Sequence, residues 1–131
     1  MATLTAALTM TSQDLTSDNM SVAVSSSVTL THTTGLSRRP VPNTSKTSAT
    51  DLTIYTADDF AATAYIYVKN VDSTATDYIY IYDDTTSGDP VILKLSGGEW
   101  AFLPTIADKT LKAYTATANT ILEFAVFGTD Q

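Results

Sequence analysis

Residues 62–69 read Ala-Thr-Ala-Tyr-Ile-Tyr-Val-Lys, a stretch in which small or aliphatic side chains alternate with threonine, tyrosine and lysine. Residues 78–82, Tyr-Ile-Tyr-Ile-Tyr, repeat this alternation. Farther out, leucines and valines alternate with threonines and serines over residues 4–10 and 22–30. A period of two is typical of a β-strand with one buried and one exposed face. The sequence therefore predicts that strands dominate the fold.

Composition supports an all-β chain. Serine and threonine supply 37 of the 131 residues, and glutamate occurs only at Glu99 and Glu123. Threonine, tyrosine, valine and isoleucine favour strands, whereas glutamate and lysine favour helices. About nine short strands separated by turns predict an antiparallel β-sandwich of jelly-roll or Greek-key type. The length fits one domain over residues 1–131, with an extended arm near the N-terminus over residues 31–50.

Tyrosines form the least ordinary feature of the sequence. A four-residue loop over residues 72–75 predicts a hairpin that places Tyr67 opposite Tyr80 and Tyr65 opposite Tyr82. This register puts five tyrosines on one face: Tyr65, Tyr67, Tyr78, Tyr80 and Tyr82. The other face then carries Ala62, Ala64, Ile66, Val68, Ile79 and Ile81. A tyrosine-rich face suits a protein interface or a carbohydrate platform, and it also suits the plain outer side of a sheet.

A second hairpin is predicted near the C-terminus. Pairing Lys112 with Glu123 places opposite charges across two strands, which is favourable by about 0.2–1 kcal/mol. Every second residue of these strands then points into the core, namely Leu111, Ala113, Leu122, Phe124 and Val126. The strand that begins at Trp100 is expected to end before Pro104, because proline lacks a backbone donor.

Residues 31–50 show no apolar period and carry basic side chains in an acidic chain. Prolines in this segment favour extended backbone. The segment is interpreted either as a mobile surface loop or as a stiff docking arm that seeks an acidic neighbour. Its candidate interface residues are Arg38, Arg39, Pro40, Pro42 and Lys46.

Charge and composition argue against several classes of function. A net charge of −7 opposes nucleic-acid binding, and no apolar run is long enough for a membrane helix. The chain has no cysteine and one histidine, His32, so we expect no thiolate or multi-histidine metal site and no cofactor. The acidic turn over residues 83–89 lacks the ligand spacing of a calcium loop. No triad or phosphate-binding motif surrounds a candidate nucleophile, so we expect no enzymatic activity and no catalytic residues.

Several stretches resemble a known family. Residues 92–104, Ile-Leu-Lys-Leu-Ser-Gly-Gly-Glu-Trp-Ala-Phe-Leu-Pro, are similar to a strand pair of small β-sandwich structural proteins in tailed bacteriophages. Residues 121–128 resemble the closing strand of those proteins, residues 64–70 a middle strand, and residues 35–38 fit loosely. The chain departs from the pattern at Gly97, where the family usually has proline.

The resemblance implies a virion component that is assembled in the bacterial cytoplasm. We expect a capsid decoration (cement) protein, or one of head-fibre type, on the outer surface of the capsid. Its partners would be the major capsid protein or other virion subunits and further copies of itself, with a trimer favoured. The alternative is a tail-fibre or baseplate-associated β-sandwich module that contacts host glycans. A free carbohydrate-binding module or small hydrolase using Glu99 and Glu123 is a more distant alternative.

Overall fold

The computed structural model describes residues 2–14, 17–42, 45–117 and 120–129. These residues form eleven strands, and no helix occurs among them. The strands are β1 (Ala2–Ser12), β2 (Met20–Leu30), β3 (His32–Thr33), β4 (Ser37–Val41), β5 (Leu52–Tyr55), β6 (Thr63–Asn70), β7 (Ile79–Asp83), β8 (Val91–Leu95), β9 (Trp100–Ile106), β10 (Leu111–Thr115) and β11 (Thr120–Gly128).

The chain divides into two compact units, Met1–Thr31 and His32–Gln131. The first unit is a two-stranded antiparallel ribbon of β1 and β2, which we call the ribbon. Its pairing runs without a bulge from Ala2 opposite Leu30 to Ser12 opposite Met20. The predicted period-two strands over residues 4–10 and 22–30 are thus confirmed.

The second unit is a sandwich of two antiparallel sheets. One sheet has four strands in the order β5-β10-β7-β8. The other has five strands: β3-β11-β6-β9, with β4 also paired to β11. The predicted all-β, antiparallel β-sandwich is confirmed.

Alternate residues of both sheets fill the space between them. Ile66 and Val68 of the five-stranded sheet and Ile79 and Ile81 of the four-stranded sheet are fully buried in one cluster. The five core residues predicted from the last two strands are also buried. Burying each aliphatic side chain of this size contributes about 1.5–3 kcal/mol. The core confirms which face of each strand points inward.

The predicted pairing of β6 with β7 is wrong. β6 pairs with β9 and β11, whereas β7 pairs with β8 and β10 in the opposite sheet. The chain crosses between sheets after Asn70, whose buried amide donates to the carbonyls of Asp77 (2.7 Å) and Leu95 (3.1 Å). The Oδ1 atom of the same side chain accepts from the Asp72 amide at 3.1 Å. A crossing loop held by Asn70 therefore replaces the expected hairpin turn.

Gly97 packs against this crossing loop. A β-carbon at position 97 would collide with the Thr74 carbonyl and lie 3.0 Å from the Asp72 carbonyl oxygen. The neighbouring Gly98 amide donates to the carbonyl of Asn70 at 3.0 Å, which holds the two loops together. Glycine is required at position 97 because backbone approaches backbone there.

The predicted C-terminal hairpin is also wrong. β10 and β11 lie in different sheets, so Lys112 does not face Glu123. Instead, Lys112 Nζ lies 2.8 Å from Asp84 Oδ2, and Glu123 Oε2 lies 2.6 Å from Arg38 Nε. Lys112 and Glu123 each form an ion pair, as expected for charged residues in these strands, but with Asp84 and Arg38 rather than with each other.

Two prolines lie inside strands. β9 continues through Pro104 to Ile106, contrary to the expected stop, and Pro40 lies within β4. β9 is the last strand on one side of the five-stranded sheet, and β4 pairs only with β11 among the described strands. An edge strand accommodates proline because one side of its backbone has no ladder partner. Residues 37–41 are thus a sheet strand rather than a loop.

We expect Gly97→Ala to lower the free energy of unfolding by about 1–3 kcal/mol, because the added methyl group overpacks a rigid backbone contact. Denaturant unfolding followed by the fluorescence of Trp100, the one tryptophan of the chain, measures this change. Ser96→Ala, one residue earlier, should change stability by less than about 0.5 kcal/mol. Equal stability of Gly97→Ala and the unmodified chain would contradict the proposed contact.

Candidate functional site

The five tyrosines predicted to share one face lie on two different sheets. Tyr65 and Tyr67 belong to β6 in the five-stranded sheet, whereas Tyr80 and Tyr82 belong to β7 in the four-stranded sheet. Tyr78 immediately precedes β7. The prediction of a single tyrosine face is therefore wrong, since the expected β6–β7 hairpin does not form.

The outer side of the five-stranded sheet is rich in rings. Register places Tyr67 between Phe102 and Ala125, and Tyr65 between Pro104 and Phe127. We call the outward side chains of this surface the aromatic face: Tyr65, Tyr67, Trp100, Phe102, Pro104 and Phe127.

Two features show how rings are presented on the aromatic face. The rings of Tyr65 and Phe102 are stacked, with centroids 6.2 Å apart and planes 11° from parallel. Trp100 lies opposite Lys69 and is 52% exposed, although a large indole ring usually finds cover. Ile106, at the end of the same strand, is 59% exposed. Exposed apolar surface is therefore concentrated along β9, while the rings of Tyr65, Tyr67, Phe102 and Phe127 are half-buried.

A buried carboxylate lies next to the rings. Glu123 accepts from Arg38 Nε at 2.6 Å and from the Tyr67 hydroxyl at 2.9 Å, and only 8% of the residue is exposed. These bonds, with that of Arg38 the stronger, hold the pKa of Glu123 below its usual range. Burial and the bond to Glu123 raise the pKa of Tyr67. At neutral pH the group is a carboxylate, a neutral phenol and a guanidinium whose side chain is 65% exposed.

The outer side of the four-stranded sheet carries a second group of rings, which we call the tyrosine cluster: Tyr78, Tyr80, Tyr82 and Tyr114. Tyr80 and Tyr114 are stacked with centroids 5.1 Å apart, and Tyr82 meets Tyr114 edge-on at 5.8 Å. Lys94 Nζ lies 3.8 Å from the centre of the Tyr78 ring, a favourable cation–π contact. The rings of this cluster contact one another within the chain.

Tyr82 is fully buried and cannot itself contact a partner. Its hydroxyl donates to Asp51 Oδ2 at 2.9 Å, and Asp51 in turn accepts from the Thr47 amide at the same distance. Burial and the bond to Asp51 raise the pKa of Tyr82. The segment that contains Thr47 is thereby attached to the edge of the tyrosine cluster.

Part of the predicted docking arm is bound within the chain. Lys46 Nζ donates to the carbonyl oxygens of Gly88 (3.2 Å) and Asp89 (2.9 Å) in the acidic turn. Ser48 donates to Asp84 Oδ2 at 2.7 Å, and the same carboxylate lies 2.8 Å from Lys112 Nζ. We call these residues the clasp: Lys46, Ser48, Asp84, Gly88, Asp89 and Lys112. The basic segment does meet acidic residues, but for Lys46 they belong to its own chain.

The remaining candidates of the arm lie near β4. Arg38 and Arg39 pair with Glu123 and Leu122, and Pro40 pairs with Ile121, which is 45% exposed. Pro42 accepts the Thr115 amide of β10 at 3.1 Å through its carbonyl. Of the arm candidates, Arg38 lies beside the aromatic face, and its guanidinium is the one bound to Glu123.

Sequence reasoning missed the partners of Tyr65 and Tyr67. Trp100, Phe102 and Phe127 join them only because β6 lies between β9 and β11. The alternation of Trp100, Ala101, Phe102 and Leu103 indicates two outward rings, but it does not say which strand lies beside them. Tyr114 joins the tyrosine cluster for the same reason.

The described residues contain no group of three or more histidine, aspartate or glutamate side chains that could hold a metal ion. No helix in this part of the chain has the length and apolar character needed to cross a membrane. Comparison with protein-family models, with curated proteins and with solved structures finds no match to this chain.

Because of the clasp, we expect the free energy of unfolding to decrease at acid pH. The Lys112 bond, more than that of Ser48, lowers the pKa of Asp84 from the usual 3.8. A lowered folded-state pKa means that this stabilisation is present above the unfolded value of 3.8 and is lost as pH falls through the folded value. We expect Asp84→Asn to be about 1 kcal/mol less stable than the unmodified chain at pH 7.

Urea unfolding at pH 7 and pH 2.5 checks this expectation, and the stability difference should shrink at the lower pH. Asp58→Asn, at an exposed residue of another turn, is the matched control and should show a small difference at both values. An Asp84→Asn deficit that is as large at pH 2.5 as at pH 7 would show that the ion pair is not its cause.

Proposed function

We propose that this chain is a structural subunit of a tailed-bacteriophage virion. In this proposal it is a capsid decoration protein that binds the outer surface of the major capsid shell and stabilises it as a small homo-oligomer, a trimer. The observation that carries the proposal is the aromatic face, on which Trp100 is 52% exposed and the other rings are half-buried. Contiguous exposed apolar surface of this kind is typical of protein interfaces. The resemblance of residues 92–104 and 121–128 to phage β-sandwich proteins supports the choice of partner.

The chemistry of the aromatic face suits protein binding. Tryptophan, tyrosine and arginine contribute most strongly at interfaces, and Trp100, Tyr67 and Arg38 are all present here. Tyr67 and Arg38 are both bound to Glu123, so they lose little conformational freedom when a partner covers them. A partner would thus meet a preorganised polar centre beside an apolar surface.

Charge favours an external position. The chain carries a net charge of −7, which would be repelled by packaged DNA but is compatible with an outer surface. On the sheet that bears the aromatic face, Arg38 and Lys69 accompany Glu123, so this surface is less acidic than the chain as a whole. An acidic partner would be repelled less by this surface than by the average surface of the chain.

Multiple copies would strengthen such binding. A single contact of modest area is weak, but an oligomer that reaches several capsid sites at once gains affinity through effective concentration. A capsid presents its binding sites in a repeated array, so a trimeric subunit need not bind tightly through any one face.

A second candidate function is favoured by one observation on the same face. The parallel rings of Tyr65 and Phe102 share a face with Tyr67, which pairs with Phe102 and whose hydroxyl donates to the carboxylate of Glu123. Sugar rings pack on aromatic surfaces, while their hydroxyls bond to such polar groups. The corresponding function is a tail-fibre or baseplate-associated module that binds host glycans.

Co-sedimentation with empty capsids of the encoding phage, at low salt, tests the proposed function. The purified chain should pellet with the shells, and Trp100→Ser should weaken binding by about 10-fold or more, as expected for an interface tryptophan. Tyr78→Ser, in the tyrosine cluster of the opposite sheet, is the matched control and should change binding by less than about 2-fold.

A glycan array probed with the same variants separates the two candidates. Glycan binding that Trp100→Ser abolishes, without capsid binding, would favour the fibre module over the decoration protein. Loss of capsid binding in both variants alike would show that the aromatic face is not the contact.

A further inference from the structure

The two faces of the ribbon differ in polarity. Opposite residues in its register lie on the same face, as Leu4 does with Val28, Leu8 with Val24 and Met10 with Val22. The other face carries only small or hydroxyl-bearing residues: Thr3, Thr5, Ala7, Thr9 and Thr11 from β1 and Ser21, Ala23, Ser25, Ser27 and Thr29 from β2. Two serines, Ser12 and Ser26, lie on the first face among its leucines, valines and methionines. The ribbon therefore has one predominantly apolar face and one hydrated face, each about 37 Å long at about 3.4 Å per residue.

The apolar face is open to solvent over much of its length. Leu8 is 36%, Met10 43% and Val24 57% exposed. A two-stranded hairpin alone is at best marginally stable in water and needs further strands or a packed surface on its apolar side. This face must therefore be covered by something that is present whenever the chain folds.

The distribution of charge indicates which molecule packs on the apolar face of the ribbon. The paired residues 2–12 and 20–30 contain no lysine, arginine, aspartate or glutamate, although the whole chain carries a net charge of −7. Copies of so acidic a chain repel each other wherever their charged surfaces meet. The ribbon provides a long surface without charged side chains, where two copies can meet without this repulsion. Another copy is also the one partner that is always present at the same concentration. Both considerations favour self-association through the ribbon.

The backbone supports the same conclusion. The ribbon is the whole of its sheet among the described strands, so its outer edges have no strand partner there. Proteins usually protect such edges with charges, proline or bulges, and residues 2–12 and 20–30 have none of these. An unprotected edge on an uncharged strand is tolerated where association is the purpose of the element.

We infer that the ribbon is the self-association element of this protein. The apolar faces of ribbons from different copies pack against one another, and the threonine and serine faces remain in water. In the proposed trimer, three ribbons would form a three-sided prism with the apolar faces inside. This inference deepens the proposed function, on whose homo-oligomer it rests, by assigning the element that joins the copies.

Val24→Lys tests the inference in the full chain, in the absence of capsids. The substitution places an ammonium group opposite Leu8 in the centre of the apolar face. Ala23→Lys introduces the same charge one residue earlier, on the hydrated face, and is the matched control. Light scattering coupled to size exclusion, at about 1–100 µM protein, measures the mass of each variant.

We expect the unmodified chain and Ala23→Lys to show a multiple of the 14.0 kDa chain mass. Val24→Lys should raise the dissociation constant by about 100-fold or more, because a buried unpaired charge is strongly unfavourable. A 14.0 kDa species for the unmodified chain at 100 µM would overturn the inference, and so would equal masses for the two lysine variants.

Hydrogen exchange covers the case in which Val24→Lys unfolds the ribbon. In the unmodified chain, amides of β1 and β2 should lose protection on dilution below the dissociation constant, while those of β6 and β11 keep it. Protection of the ribbon that does not depend on concentration would overturn the inference. Capsid binding by a monomeric chain would leave the proposed decoration role intact, and an oligomer that ignores capsids would refute that role alone.

Discussion

Burial of every second side chain between two sheets is the constraint on which the sandwich depends. A pleated strand directs successive side chains to opposite faces, so the residues that fill the core also determine what remains outside. Ile66 and Val68 meet Ile79 and Ile81 in one buried cluster. The tyrosines between these residues are consequently directed to the two outer surfaces. The candidate site is thus a by-product of how the core is filled.

The same constraint explains how much could be predicted from sequence. Alternation within one strand is local, so the inward residues of β6, β7, β10 and β11 were predicted correctly. Pairing between strands depends on where the chain crosses from one sheet to the other. The crossing after β6 is held by the amide of Asn70 and by the close approach of Gly97 to the next loop. Neither residue belongs to an apolar pattern, so the hairpin prediction failed there and divided the tyrosines between two sheets.

The partners of charged residues, like the pairing of strands, depend on the tertiary fold and not on local sequence. The sequence shows that Lys46, Lys112 and Glu123 need partners, but not which residues the fold brings near them. In the structure, Lys46 and Lys112 bind the acidic turn, and Glu123 binds Arg38. Ion pairs formed inside the chain reduce what its basic residues can offer to others. The aromatic face, rather than a basic arm, therefore becomes the stronger basis for the proposed recognition. Its composition could be found from sequence only once β9 and β11 are placed beside β6.

Pro104 and Pro40 lie in strands on opposite sides of the five-stranded sheet, β9 and β4. Each removes an amide hydrogen from a strand that could otherwise accept a neighbour's backbone. Sandwiches crowded together at high local concentration would thus be hindered from zipping into continuous fibrils through this sheet. Contacts through this sheet would then be made by side chains, whose chemistry differs from residue to residue, and not by backbone hydrogen bonds, which form with little regard to sequence.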